Sequence, residues 1–170
     1  MCKFIIFCAL SLFSFASPET ELVALVNQER QNAGLSTLAI NWEVARLARY
    51  RTEEMQTLGF FGHDSKLYNA PDEMLIRFGV EFCQAGVSIA KGQNTAADVF
   101  AAWFASAEHR EKLLNPNFTS AGVGLTYSAD GTPYWALMLI SCANSGTSGS
   151  EGALRLVLRS CDNMAARSSL

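Results

Sequence analysis

The first sixteen residues constrain the rest of the chain most. Lys3 is followed by an apolar run from Phe4 to Phe13 interrupted only by Ser11. Ser14-Phe15-Ala16 then sets small residues at the two positions a signal peptidase reads, just before Pro18. Such a leader is too short for a membrane span and reads as a secretory signal at 1–16, removed after Ala16, with Ser17 as the second candidate. What remains must fold in an oxidising compartment without Cys2 and Cys8. Three cysteines are left, Cys83, Cys142 and Cys161, and an odd number allows at most one internal bridge. The domain is therefore no disulfide-framed mini-protein and needs a hydrophobic core. The composition supplies one: 49% hydrophobic and 17% charged residues exclude global disorder. No run reaches the ~20 apolar residues of a span, so no integral membrane segment is expected after cleavage. A net charge of −3 without a Lys/Arg cluster excludes nucleic acid as a partner.

Helices come first. Pro18 to Asn32 carries Leu22, Leu25 and Val26 at helical spacing, and Gly34 is a natural stop. Asn41 caps a second helix from Trp42 to Leu58, with Val44, Leu47, Ala48, Met55 and Leu58 on its buried stripe and Arg46, Arg49 and Glu53 on its wet face. Phe60 to Ala70 reads as loop. Pro71-Asp72 opens a short helix through Phe78, closed by Gly79, and Gly86 to Ala90 reads as a short strand. Thr95 to Asp98 is a capping box before Val99, Phe100, Trp103 and Phe104. An unbroken helix here would put Arg110 among those aromatics and turn His109 away. A break with Ser106 as a fresh N-cap removes the conflict. Asn115-Pro116 ends the second piece. Ala121 to Ser128 and Tyr134 to Ser141 read as strands around the turn signal Asp130-Gly131.

The expectation is an α+β fold, a three-layer α–β–α sandwich with a small antiparallel sheet, over residues 17–142. Residues 143–170 read as a Gly/Ser-rich linker and flexible tail, in which Leu154-x-Leu156-x-Leu158 alternates but is too short to fold alone.

Chemistry has few places to sit. The chain has two histidines, His63 and His109, with acidic neighbours Asp64 and Glu108. Two imidazoles can share a divalent ion such as zinc, although two unlinked histidines are more often surface or capping residues. Ser65, Ser88 and Ser106 lie near them, but no Gly-x-Ser-x-Gly elbow exists, and such serines serve as caps and turns. Cys83 has apolar neighbours and no catalytic motif. It precedes the first strand of the expected sheet and Cys142 follows the last, so Cys83–Cys142 is the favoured bridge, with Cys142–Cys161 or none left open. Asn117-Phe118-Thr119 is a sequon, its alternative a turn asparagine beside a buried Phe118.

Leu25-Val26-Asn27-Gln28-Glu29-Arg30, with Gly34-Leu35 and Leu38 after it, resembles the opening of the CAP domain, the family of cysteine-rich secretory, pathogenesis-related and SCP-like extracellular proteins. Phe61-Gly62-His63-Asp64-Ser65 is similar to its first histidine motif, and Trp103-x-x-Ser106-x-x-His109-Arg110 to its second. Leu113 to Phe118, Gly122-Val123-Gly124 and Tyr134-Trp135 continue the likeness, which is closest to the short bacterial-type form. The resemblance implies the α–β–α sandwich. It also implies a cleft, often metal-binding, of two histidines and two acids.

His63 and His109 match the histidines of that cleft, but Val87 stands where Gly-Glu-Asn-Ile-Ala would put the glutamate, and a valine neither ligates nor moves a proton. The expected cleft is His63, Val87, Ser106, Glu108 and His109. His63 and His109 are the only candidate catalytic groups and metal ligands, and no cofactor is expected. The implied function is that of a secreted, non-enzymatic module with a degenerate site, binding a lipid or sterol or an extracellular protein. The alternatives are a hydrolase or peptidase using His63 and His109, and a structural surface protein linked through Cys161.

Overall fold

The computed structural model describes residues 17–141. The expected leader, Cys142, Cys161 and the tail lie outside the described residues. Helix α1 (Pro18–Asn32) starts at Ser17, whose hydroxyl accepts from the Thr20 N–H at 3.3 Å; Pro18 occupies the first turn with Glu19 and Glu21. Past its end Gly34 takes φ +73°, a backbone conformation that suits glycine. Strand β1 (Ala39–Ile40) follows, and Asn41 caps α2 (Trp42–Thr57) by accepting from the Val44 N–H at 3.1 Å. Next come α3 (Pro71–Arg77), β2 (Gln84–Lys91), α4 (Ala96–Ala105), α5 (Ala107–Leu113), β3 (Ser120–Tyr127) and β4 (Pro133–Ser141).

The sheet order is β1-β3-β4-β2. The three long strands are antiparallel, as expected, but β1 adds a parallel pairing, Ala39 with Ser120 and Ile40 with Ala121, that makes the sheet mixed. β1 is too short to show an alternation. A side chain holds it in place: Asn27 accepts from the Leu38 N–H at 2.7 Å and donates to the Leu38 carbonyl at 3.0 Å.

Alternation along β4 sorts two cores. Trp135, Leu137 and Leu139 face α1, α4 and α5 with Leu22, Val26, Val99 and Trp103. Tyr134, Ala136, Met138 and Ile140 face α2 and α3 with Val44, Leu47, Met55 and Leu75. Each fully buried apolar side chain of this size contributes about 1.5–3 kcal/mol. On the α2 side, the middle of β3 offers Gly122 and Gly124. A Cβ there would lie 2.1 Å from the Ala45 nitrogen and 2.2 Å from the Arg49 nitrogen, so helix backbone rests directly on strand backbone.

The helix break falls at Ser106, between α4 and α5. It works through the backbone, which is extended there at φ −81°, ψ 125°; the Ser106 hydroxyl makes no capping bond. The break leaves His109 against Trp103, with ring centroids 6.3 Å apart, and sends Arg110 outward to donate to the Phe104 carbonyl at 2.9 Å.

Candidate functional site

His63 and His109 come from opposite layers and meet beside β2, the edge strand of the sheet. His63 sits on the loop after α2, His109 on the first turns of α5. Their rings lie 6.2 Å apart, centroid to centroid, inclined by 27°. The chain between them is folded away in a helix, a strand and a second helix, so the pairing is tertiary.

A buried ion pair positions the His63 loop. Arg51 and Glu54, on α2, are 1% and 5% exposed at their side chains and bonded to each other. Arg51 also donates to the carbonyls of Gly62 at 3.0 Å and His63 at 2.9 Å. Glu54 accepts from the Ser65 hydroxyl at 2.8 and 2.9 Å and from the N–H groups of Lys66 and Leu67. Ser65 in turn accepts from the N–H groups of Leu67 and Tyr68. Its hydroxyl is thus a structural bond in a tight loop. A charge inside an otherwise apolar helical stripe was the one sequence signal of this pair: Arg51 follows Leu47 and precedes Met55, each by four residues.

On the other side, Lys112 donates to Glu108 at 2.8 Å and to the Val87 carbonyl at 3.5 Å, while Trp103 Nε1 donates to the Ile89 carbonyl at 3.0 Å. Two outward carbonyls of β2 are therefore covered by side chains from α4 and α5. Val87 meets the site through that carbonyl. Its side chain is 5% exposed and belongs to the α2/α3 core. Ser88 is fully buried, and among the described residues its hydroxyl and His109 Nε2 have no hydrogen-bond partner.

Burial lowers the pKa of both imidazoles, and the nearby Lys112 charge lowers them further. Glu108 opposes the shift at both rings and Asp64 at His63. Lys112 holds the Glu108 carboxyl below its ordinary value.

These residues do not make up a zinc donor set. Zinc sites take three or four N, S or O ligands. Here there are two imidazoles, an apolar Val87 directed into the core, and a Glu108 already paired with Lys112. Among the described residues no three His, Cys, Asp or Glu side chains are grouped to hold a metal ion. Neutral imidazoles can exchange hydrogen bonds with a ligand, but the nearby Ser65 hydroxyl is committed to Glu54.

The remaining candidates fall elsewhere. Ser106 is the hinge between α4 and α5. Asn117 is exposed, its N–H bonded to Asn115 Oδ1 at 2.9 Å, and Phe118 is 4% exposed. The Cys83 N–H donates to the Ser141 carbonyl at 3.0 Å; Cys142, its expected bridge partner, lies outside the described residues.

The helices and small sheet are the α–β–α arrangement the motifs implied. The cysteine-rich secretory protein family, CAP, matches residues 23–139, and the chain belongs to it. Among curated proteins, the uncharacterized protein YkwD of Bacillus subtilis is 41% identical over 115 residues, 68% of this chain and 45% of that protein. The uncharacterized membrane protein YlbC of the same organism is 33% identical, covering 63% of this chain and 31% of that protein. The chain thus spans less than half the length of the curated relatives it matches. Among solved structures, an extracellular SCP-domain protein of Bacillus anthracis superposes with a TM-score of 0.66 at 28% identity, covering 73% of this chain and 40% of that one. An outer surface protein of Borrelia burgdorferi gives 0.68 at 17% identity, over 73% of this chain and 92% of that one, and shows the shared fold.

Proposed function

We propose that this CAP domain acts outside the cell as an interaction module, engaging its partner at the His63–His109 rim of β2. The observation that carries the reading is the state of the site. An exposed His63 and a partly buried His109 face each other with lowered pKa; Val87 is apolar, Glu108 is paired with Lys112, and the carboxylate left beside them is the exposed Asp64 next to His63 in the chain. What remains is recognition chemistry, including His109 Nε2, which has no hydrogen-bond partner among the described residues. Export is supported by the leader-like residues 1–16 and by the extracellular relative from Bacillus anthracis.

The partner is a lipid or sterol or an extracellular protein, and native mass spectrometry of the protein purified from culture medium separates these. A lipid adduct lost in His63→Ala/His109→Ala supports the first. An adduct-free mass, with a co-secreted protein released by the same double variant, supports the second. A hydrolytic activity abolished by that variant overturns the reading in favour of a peptidase or other hydrolase.

A further inference from the structure

The opposite edge of the sheet is unfinished. β1 pairs with only the first two residues of β3, because the chain leaves at Asn41 to begin α2. The bonds from the Ala39 N–H to the Thr119 carbonyl and from the Asn41 N–H to the Ala121 carbonyl fix which residues of β3 face outward. By alternation Val123 and Leu125 face the same way, and beyond β1 no described residue bonds their outward groups. A groove of about 320 Å³ lies over this edge, floored by Val123, walled on one side by Ile40, Trp42 and Arg46 and on the other by Glu19 and Val23. Trp42 is 72% exposed. Outward N–H and C=O groups repeating every ~7 Å match one kind of occupant, an extended polypeptide.

We propose that the occupant is the chain's own segment Ala153–Leu158, added to β3 as a further strand, with Leu154, Leu156 and Leu158 against Ile40 and Trp42 and Arg155 and Arg159 toward Glu19. Three observations select it. Its alternation Leu154-x-Leu156-x-Leu158 supplies an apolar face, and the other face carries Arg155 and Val157, with Arg159 just beyond the segment. Ile40 and Trp42 give the groove an apolar stretch, the lining Arg46 and Arg49 are each paired with a glutamate of α2, and Glu19 on the other wall has no ion-pair partner among the described residues. The tether reaches: β4 ends at Ser141, at the end of the sheet that carries β1. Residues 142–153 extend up to roughly 40 Å; one strand spacing and a few residues of rise separate Ser141 from Val123, and one further spacing reaches the open edge. The proposal is independent of the histidine rim.

Amide hydrogen exchange tests it on the full secreted chain, on the chain ending at Ser150, and on the full chain with Leu156→Asp. In the full chain the Val123 and Leu125 amides are protected. Both variants exchange them roughly tenfold faster or more, while the Ala136 and Leu137 amides of β4 keep their rates. Iodide quenching of Trp42 rises in parallel. Should the truncated chain fail to fold, Leu156→Asp decides alone. Equal rates in the full chain and the folded variants overturn the proposal. So does protection that grows with protein concentration, which would assign the edge to a second copy.

Discussion

Each core layer buries one arginine, and the two are held in different ways. Arg30, at the end of α1, is fully buried with no carboxylate among the described residues to pair with it. It donates instead to four carbonyls, of Ser36 at 2.9 Å, Leu113 at 2.8 Å, Asn115 at 2.9 Å and Phe118 at 3.1 Å. Arg51, in the α2/α3 layer, has Glu54 and two carbonyls. Arg30 ties α1 to the end of α5 and the approach to β3. Arg51 and Glu54 tie α2 to the loop that bears His63. Neutral acceptors hold the layer whose α5 carries His109, and an ion pair holds the layer whose loop carries His63. A buried pair loses most when one member is removed alone, because the other charge is stranded.

That difference can be broken experimentally. Arg30→Met orphans four carbonyls at once and should cost about 4 kcal/mol in urea unfolding, since each stranded buried group costs ~1–3 kcal/mol and some regain water. No single second substitution should rescue it. Arg51→Met should cost about 3 kcal/mol by stranding Glu54, which keeps its hydroxyl and N–H donors. Here Glu54→Gln added to Arg51→Met should recover part of the loss, and the His63 resonances should shift in the single variant. Equal behaviour of the two arginines under rescue would dissolve the contrast.

Smaller effects sharpen it. The folded-state pKa of His63 and of His109 lies below the ordinary value of 6.5, so in acid the unfolded chain binds protons the folded chain resists. Their contribution to stability is complete above pH 6.5 and is lost as pH falls through the lowered values. The thermal midpoint should decline from about pH 7 to about pH 5, less steeply in His63→Ala/His109→Ala than in the parent. Smallest is Lys112→Met. Its pair with Glu108 is partly exposed, so stability should change by less than ~0.5 kcal/mol. Both imidazole titrations should nevertheless move up by NMR, while staying below the ordinary value because burial is the larger cause.

The elements legible in the sequence were those whose cause is local. Pro18, Asn41 and Thr95 mark helix starts in the sequence, and Arg110 and His109 could be placed only by breaking the helix at Ser106. What escaped was set by partners distant in sequence. β1 is two residues long and exists because Asn27 and β3 receive it. Arg30 and Arg51 carry charges that composition assigns to the surface, and only the convergence of distant backbone carbonyls, with a glutamate for Arg51, makes their burial tolerable. The histidine pair was readable as two motifs. The role of Lys112 was not, because nothing in Glu108-His109-Arg110-Glu111-Lys112 says which of its charges turns back over β2.

The bare backbone of β3 at Gly122 and Gly124 acts as a gauge block. With no side chain between them, α2 cannot sink toward the strand without colliding with it, so the closest separation of helix and sheet is set by main-chain van der Waals radii. Arg51 and Glu54 hang from that same helix, and His63 hangs from them. The height of one imidazole above the sheet is therefore referenced, through a single rigid rod, to a spacing that substitutions in the surrounding apolar core leave unchanged. An alanine at either glycine would jack the rod outward and carry His63 away from His109, although neither glycine touches the rim.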